Sequence, residues 1–382
     1  MINLTKLWCN QPGSMDQLRY SQTAHQRPVV VWNTTRQCNL HCMHCYSQSE
    51  NKTYPNELST EEAKRFIIDL SEFRVPVLLF SGGEPLMRGD LFELAQLATD
   101  SGIRVVMSTN GSLITKEVSK RIKDVGFQYV GVSLDGVGQT NNRFRGAPDA
   151  FERAVEGIRN CMSAGVKTGL RLTVSKYNFS DILAIFDFIE AEKIPRACFY
   201  HLAYVGRGTN IAKDDLTHKQ TRQFMDILLS KAGEFQQKGL DTEILTVDNH
   251  ADAAYLYMKI KEKDPVRAEQ VMQLLKLNGG NSSGKGIGCV DFNGYVHPDQ
   301  FWQHYSFGNI RERTFSQIWL DTAEPLLQQL RNRKIHLKGK CQICRFLDVC
   351  NGNLRVRSEA IYGDVWAPDP ACYLTDAEIQ PV

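Results

Sequence analysis

The sequence predicts an α/β fold built on a mainly parallel β-sheet, and three features of its first half predict it. Short apolar runs rich in β-branched residues recur, amphipathic helical stretches separate them, and a glycine often introduces the next run. The runs cover residues 29–32, 75–80, 103–107, 127–132, 169–174 and 197–202. Strands that alternate with helices pair in parallel through right-handed crossovers. Six such units favour an open, barrel-like sheet, although the pattern alone leaves a flat doubly wound sheet as an alternative.

The helices between these runs carry recognisable start and stop signals. Residues 59–62, Ser-Thr-Glu-Glu, form a capping-box sequence that should open a helix. Gly102, Gly126 and Gly165 lie where a helix should end and the next strand begin, which is the usual place for a glycine C-cap. The capping sequence and the helix-ending glycines therefore place the helix boundaries where the strand–helix repeat requires them.

The repeating pattern stops near residue 213. Residues 217–235 and 264–277 look helical, and a break rich in glycine and serine follows at residues 278–284. A domain boundary should therefore lie between residues 240 and 285.

We accordingly expect three regions: an N-terminal arm (residues 1–27), a partial barrel (residues 28–240), and a helical segment with a small C-terminal domain (residues 241–382). The C-terminal domain is loop-rich and poor in long apolar runs. Such a segment needs a cross-link to stay folded, and a metal cluster would provide one.

Composition excludes few functions but does narrow the cellular setting. The chain has 382 residues, a net charge of +2 and 42% apolar residues, which gives no reason to expect a nucleic acid or membrane partner. No apolar run approaches the length of a bilayer-spanning helix. Residues 1–6 lack the features of an export signal. With eleven cysteines, such a chain should reside in a reducing compartment, the cytoplasm.

Three cysteines near the N-terminus have the spacing of an iron–sulfur loop. Cys38, Cys42 and Cys45 follow a Cys-x3-Cys-x2-Cys pattern. Iron–sulfur clusters take thiolate ligands and normally need four of them. Three thiolates in one tight loop would leave one iron of a cubic cluster open to bind a small molecule.

A second cysteine group near the C-terminus offers a complete ligand set. Its members are Cys341, Cys344, Cys350 and Cys372. Four thiolates could close a second cluster, while structural zinc is the alternative that the Cys-x2-Cys pair leaves open. Cys289 stands upstream without an assigned role, and it either replaces one of these ligands or is a buried, inert thiol.

Chemically active residues follow the predicted strands at one edge of the sheet. They lie at residues 81–85, 108–111, 133–136 and 201–208, and Arg171 lies inside the fifth run. Ligands of parallel α/β barrels bind where strand C-termini meet the following loops. Burying an isolated charge costs roughly several kcal/mol. Arg171 should therefore be paired or face a ligand.

The N-terminal cysteine loop, Tyr46 after it and the Gly-Gly-Glu-Pro sequence of residues 82–85 resemble the radical S-adenosylmethionine (radical SAM) superfamily. The resemblance implies a partial (β/α)6 TIM-like barrel and a [4Fe–4S] cluster on the first three cysteines. The amino and carboxylate groups of S-adenosylmethionine would chelate its open iron. The C-terminal cysteines resemble the auxiliary [4Fe–4S] cluster domains of this superfamily, SPASM and the shorter twitch type, and four ligands fit the twitch type.

The same resemblance implies cofactor contacts for a set of residues on the strand-end loops. These residues are Tyr46, Gly82, Gly83, Glu84, Ser133, Asp135 and Arg171. The Gly-Gly-Glu stretch would hold the amino group of the cofactor, and the arginine would meet its carboxylate. The serine and the aspartate lie where the ribose is usually held, and the tyrosine would sit near the adenine.

A closer resemblance covers almost the whole chain and points to radical enzymes that act on sirohaem-derived tetrapyrroles. It rests on residues 73–77, 129–136, 297–302, 309–313 and 366–374. Two activities are known there, both on 12,18-didecarboxysirohaem. One modifies two propionate side chains in haem d1 biosynthesis, and the other removes two acetate side chains to give iron-coproporphyrin. We expect the first, with the second as the alternative.

Two further functions have to be weighed. A peptide-modifying radical maturase would carry similar C-terminal clusters, and a non-catalytic iron–sulfur electron carrier would need no amino-acid-binding loop. A radical SAM enzyme also needs a low-potential electron donor such as flavodoxin or ferredoxin.

A tetrapyrrole substrate calls for aromatic, cationic and iron-binding side chains. The candidates are Phe144, Trp302, Tyr305 and Phe307; Arg143, Arg145 and Arg207; and His201, His250, His297 and His304.

Overall fold

A ten-stranded sheet forms the centre of the computed structural model, which describes residues 1–9 and 27–380. The strands are β1 (Ile2–Asn3), β2 (Val29–Asn33), β3 (Val77–Ser81), β4 (Arg104–Thr109), β5 (Tyr129–Ser133), β6 (Thr168–Val174), β7 (Arg196–His201), β8 (Glu243–Val247), β9 (Ile287–Val290) and β10 (Val296–His297). Their order across the sheet is β1-β8-β7-β6-β5-β4-β3-β2-β9-β10. The six predicted strands correspond to β2 to β7, so this prediction is confirmed.

The order of the strands decides between the two sheet types. From β2 to β8 each strand pairs in parallel with the next one along the chain, and the order never reverses. A doubly wound sheet reverses its strand order at a switch point, whereas a barrel winds in one direction. The sheet is therefore a partial barrel, as predicted, and β9 extends it in parallel on the far side of β2.

Helices pack around the strands and continue into the C-terminal region. They are α1 (Leu4–Cys9), α2 (Thr60–Glu72), α3 (Leu91–Asp100), α4 (Lys116–Val125), α5 (Gln139–Arg145), α6 (Ala150–Ser163), α7 (Ile182–Ala191), α8 (His218–Gln237), α9 (Ala251–Lys263), α10 (Pro265–Asn278), α11 (Phe315–Leu320), α12 (Pro325–Arg331), α13 (Leu347–Cys350), α14 (Arg355–Tyr362) and α15 (Asp376–Ile379). No helix in the described part of the chain combines the length and apolar character needed to cross a bilayer.

Local sequence signals explain where these helices begin and end. Ser59 and Glu62 form the predicted reciprocal capping box at the start of α2. Gly126 ends α4 with φ of 90°, a left-handed conformation that glycine adopts without steric cost. Helix α8 also begins with a capping box, between Thr217 and Gln220. These short-range devices fix the helix lengths that bring successive strands back to the same edge of the sheet.

Both ends of the barrel sheet are completed by segments outside the predicted barrel. Strand β1 pairs antiparallel with β8. The Thr5 hydroxyl donates to Thr242 O (3.1 Å), just before β8, and accepts from Ile244 N (2.9 Å) within it. Residues 2–9 of the predicted arm are thus part of the folded core, and the remainder up to residue 26 lies outside the described residues. The division of the chain near residue 240 stays a prediction.

Candidate active site

An open cavity with about 1090 Å3 of empty space lies where the parallel strands end. It brings together side chains from the loops after β2, β3, β4, β5, β7 and β8. Of the residues predicted to contact a cofactor, Tyr46, Gly82, Gly83, Ser133 and Arg171 line it. The carboxyl ends of the strands therefore form one site from segments that are far apart in the sequence.

The three N-terminal cysteines line one wall of this cavity. Cys38 and Cys42 are buried, and Cys45 is half-buried. Burial, with Glu84 next in effect, raises the pKa of the Cys38 thiol to about 12. A bound metal removes this penalty, because a coordinating thiol loses its proton to the metal's charge. Three soft thiolates from one loop fit an iron–sulfur cluster.

Hydrogen-bond donors surround the thiol sulfurs. Leu40 N lies 3.5 Å from Cys38 Sγ, and Ser49 N lies 3.5 Å from Cys45 Sγ. The third sulfur, Cys42 Sγ, accepts from Arg145 Nη1 at 3.6 Å. Donors to the sulfurs of an iron–sulfur site stabilise its negative charge and raise its reduction potential.

Arg145 lies beside the three cysteines in the cavity wall. The sequence predicted a different role for it, as a cation that binds substrate carboxylates. It forms an ion pair with Asp135 besides its contact with Cys42. Asp135 is fully buried, accepts a hydrogen bond from Thr173 N (2.7 Å), and is not among the residues that line the cavity. In this structure the Asp135 carboxylate positions Arg145. The contact between Asp135 and the cofactor ribose, which the resemblance implies, stays a prediction.

The double glycine packs directly against the segment that leads into the cysteine loop. Gly83 N donates to Thr35 O (2.7 Å), and Glu84 N donates to Gln37 O (2.8 Å). A Cβ atom at Gly83 would lie 2.2 Å from Gln37 O, far inside contact distance. Gly82 has φ of 127°, which side chains other than glycine rarely adopt. Both glycines are therefore required for this close approach.

We expect Gly83→Ala to weaken the binding of S-adenosylmethionine roughly 5- to 150-fold. The added methyl group must displace backbone, and such overpacking typically costs ~1–3 kcal/mol. Equilibrium binding to the reconstituted protein measures the effect. Gly89→Ala is the matched control, because no atom lies within 4 Å of a Cβ built there. Equal affinities of the two variants would contradict the prediction.

Glu84 differs in position from the other members of its motif. Its carboxylate is buried, does not line the cavity, and accepts hydrogen bonds from Thr109 Oγ1 (2.7 Å), Asn110 N (2.8 Å) and Leu86 N (3.2 Å). It therefore joins the loop after β3 to the loop after β4. The contact with the cofactor amino group, implied by resemblance, stays a prediction.

Arg171 and Tyr46 both line the cavity. Arg171 extends from β6 across Gly131, where a Cβ would lie 2.5 Å from Arg171 Cδ, and its guanidinium lies 4.5 Å from the centre of the Tyr200 ring. The Tyr46 hydroxyl donates to Asn33 Oδ1 (3.0 Å). Burial raises the pKa of Tyr46, so this hydroxyl stays protonated. The Arg171 guanidinium lies in the cavity wall, where it can bind an anionic group of a ligand.

Most predicted substrate-binding aromatics lie elsewhere. Phe144, Trp302 and Phe307 are buried and do not line the cavity, so that expectation is wrong, while Phe301 and Tyr200 do line it. An aromatic residue is more often part of the core than of a binding site, and these three follow that tendency.

Among the predicted histidines, only His201 lines the cavity. Its Nε2 lies 2.9 Å from Asp252 Oδ2, and the Tyr373 hydroxyl donates to Asp252 Oδ1 at 2.8 Å. Sequence reasoning missed this chain of contacts. It connects the cavity wall with the segment that carries Cys372.

The four C-terminal cysteines surround a second, smaller cavity. Cys341, Cys344, Cys350 and Cys372 all line it, as predicted for one ligand set. Cys289 does not; it is buried in β9, where Asn33 Nδ2 lies 3.6 Å from its sulfur. Cys289 is therefore a thiol of the barrel sheet in this structure.

Comparison with known proteins agrees with both cavities. Residues 32–189 match the model of the radical SAM superfamily, and residues 283–367 match SPASM, an iron–sulfur cluster-binding domain. Fe-coproporphyrin III synthase of Methanosarcina barkeri is 53% identical, and the alignment covers 99% of each chain. The chain belongs to the radical SAM superfamily. Within it, the chain falls in the family of haem-biosynthesis enzymes.

One further relative of this radical SAM enzyme and one solved structure of similar fold extend the comparison. Pre-heme d1 synthase of Dinoroseobacter shibae is 42% identical over 92% of this chain and 87% of its own. Streptococcus suis SuiB bound to S-adenosylmethionine has the same fold, with a TM-score of 0.72 over 91% of this chain and 78% of that one, at 20% identity. The enzyme therefore uses a [4Fe–4S] cluster with S-adenosylmethionine and carries an auxiliary iron–sulfur cluster, which replaces the zinc alternative.

Proposed function

We propose that this enzyme converts 12,18-didecarboxysirohaem into iron-coproporphyrin III by removing two acetate side chains. One observation carries the proposal: 53% identity to Fe-coproporphyrin III synthase along 99% of both chains. At that identity along almost the full length of both chains, two enzymes tend to share a substrate-binding cavity. This preference reverses the order in which the sequence motifs ranked the two tetrapyrrole reactions.

The cavity supports a substrate of this class. It is open to solvent on one side, so a large planar ligand can enter it without being fully enclosed. Arg171 and Arg207 line it, and arginine binds carboxylates through two parallel hydrogen bonds. Phe301 and Tyr200 offer aromatic surface to a planar ring.

When bound, the [4Fe–4S] cluster and S-adenosylmethionine would together supply a 5′-deoxyadenosyl radical, which abstracts hydrogen from unactivated carbon. The chain's own contribution is position and exclusion of water. Arg207 holds the cysteine loop through Cys42 O (2.8 Å) and Ser49 O (3.0 Å), and the Gly82–Gly83 turn packs behind it. Cys38, Cys42 and Cys45 are the proposed ligands of the first cluster, and the four C-terminal cysteines those of the auxiliary cluster.

The haem d1 reaction is the second candidate, because Pre-heme d1 synthase is 42% identical over most of both chains. Its substrate is the same tetrapyrrole, so only the product separates the two. The SuiB likeness is a likeness of fold, and it gives no support to a peptide substrate.

The product of an anaerobic reaction tests the assignment. Reconstituted enzyme with dithionite, S-adenosylmethionine and 12,18-didecarboxysirohaem should yield a pigment that has lost both acetate groups, as measured by mass spectrometry. Altered propionate side chains with both acetates retained would favour the second candidate. Formation of 5′-deoxyadenosine with an unchanged pigment would contradict both.

We further propose a low-potential donor, flavodoxin or ferredoxin, as the physiological source of electrons, and the cytoplasm as the site of the reaction. No disulfide joins any of the eleven cysteines, which is the state that a reducing compartment maintains. Either reduced carrier should replace dithionite in the product assay; failure of both would contradict this choice of donor.

A further inference from the structure

Asp248 is a cavity residue that no sequence motif identified. It directly follows β8, and its side chain lines the large cavity together with Arg171 and His201. The run before it, residues 244–247, is apolar and β-branched, so it carries the same signal as the six predicted strands. Asp248 is therefore at the strand end where catalytic residues of a barrel lie.

The backbone at Asp248 is strained. Its φ is 68°, a left-handed conformation that costs a residue with a side chain about 1 kcal/mol or more. Arg357 Nη2 donates to Asp248 O at 2.6 Å and holds the backbone there. Strain of this kind persists where the surrounding structure enforces it, and it concentrates at functional sites.

Charged groups from several elements face the Asp248 carboxyl. Burial raises its pKa from 3.8 to about 6, and the nearby Asp299 carboxylate adds to the rise. Arg357, the N-terminal ammonium group and Arg171 oppose it. The group can therefore hold or release a proton near neutral pH, the range in which general acids and bases are most effective.

We propose that Asp248 is the general acid of the active cavity and protonates the carbon fragment that leaves the substrate. The inference rests on the proposed removal of acetate side chains. Loss of a hydrogen atom to the 5′-deoxyadenosyl radical would leave a radical on the ring carbon next to the acetate-bearing carbon. The bond between the acetate-bearing carbon and the acetate methylene then breaks, a ring C=C bond forms, and the fragment departs as a carboxymethyl radical. That radical needs one electron, from a reduced iron–sulfur cluster, and one proton, from the Asp248 O–H, to leave as acetate. The carboxylate then takes a proton from solvent through the open cavity.

Solvent isotope incorporation tests the origin of that proton. In deuterated buffer, the released acetate should carry one deuterium, because the Asp248 proton exchanges with water. Acetate without deuterium would show hydrogen return from a non-exchangeable C–H, such as that of 5′-deoxyadenosine, and would overturn the inference. A pigment that keeps its acetates would instead overturn the proposed function, so the two failures are distinguishable.

Asp248→Asn tests the residue itself, since asparagine tolerates the left-handed backbone and the variant should fold. We expect acetate release to fall roughly 10²–10⁴-fold, with Asp241→Asn, at an exposed position, as the unaffected control. In the native enzyme kcat/KM should decrease as pH rises through about 6, since the acid form is required. Unimpaired release by Asp248→Asn would overturn the assignment.

A second readout needs no cofactor. A folded-state pKa above the unfolded value means that the native chain loses stability as pH rises from about 4 to about 6. The Asn variant lacks this loss, so its Tm advantage over the native chain should grow across that interval. A constant Tm difference would show that the carboxyl does not titrate there and would contradict its role as the acid.

Discussion

Asp369→Ala should destabilise the enzyme by about 3–5 kcal/mol, the cost typical of removing one partner from a buried ion pair. The Asp369 carboxylate and the Arg357 guanidinium are both completely buried, with Nη2 2.9 Å from Oδ2. Asp369 also accepts from Leu354 N (3.0 Å) and Ala371 N (2.9 Å). Alanine would leave the arginine charge and two backbone donors without their acceptor.

The loss should also reach the barrel. Arg357 Nη1 donates to Leu202 O (3.1 Å), and Nη2 donates to Asp248 O, so one arginine joins the C-terminal region to the ends of β7 and β8. Urea unfolding followed by circular dichroism measures the free energy. Asp124→Ala, which removes an exposed helical pair with Lys120, is the control and should change stability by less than about 1 kcal/mol. Similar changes in both variants would contradict the prediction.

Cys42→Ala should abolish 5′-deoxyadenosine formation while leaving the auxiliary cluster in place. Cys42 is buried in the wall of the large cavity and, with Cys38 and Cys45, forms the proposed ligand set. Two thiolates hold a cubic cluster poorly, and without it no electron reaches S-adenosylmethionine. Iron analysis and chromatography of the nucleoside measure both effects after anaerobic reconstitution.

The matched control is Cys161→Ala, which removes a buried cysteine of α6 that lines neither cluster cavity. It should keep full iron content and activity. The double variant Cys341→Ala, Cys344→Ala should lose the auxiliary cluster instead. Retention of the complete iron content by Cys42→Ala would refute the ligand assignment.

Much of this architecture was predictable because its determinants are local. Apolar runs, a capping box and helix-ending glycines identified β2 to β7. Strands β8 and β9 lie beyond the point where the repeat fades, and their pairing with β7 and β2 shows that they belong to the same sheet. The cysteine spacing likewise predicted which thiols would share a cavity, since ligand spacing is a property of the chain itself.

The orientation of site residues was less predictable because it depends on distant partners. Arg171 reaches the cavity only because residue 131, on the neighbouring strand, has no side chain. Asp135 turns towards Arg145, a contact that no spacing rule gives. Cys289 was ambiguous in the sequence, and its place in a strand beside β2 puts it in the barrel sheet.

An open barrel has two exposed margins, and here each ends in a strand of only two residues, β1 and β10. Both run antiparallel to their neighbours. Unpaired backbone amides and carbonyls along a long, flat margin would recruit strands of other molecules, and a very short terminal strand offers them little. The two short strands should therefore protect a half-closed sheet from edge-to-edge aggregation during the period before its clusters are inserted.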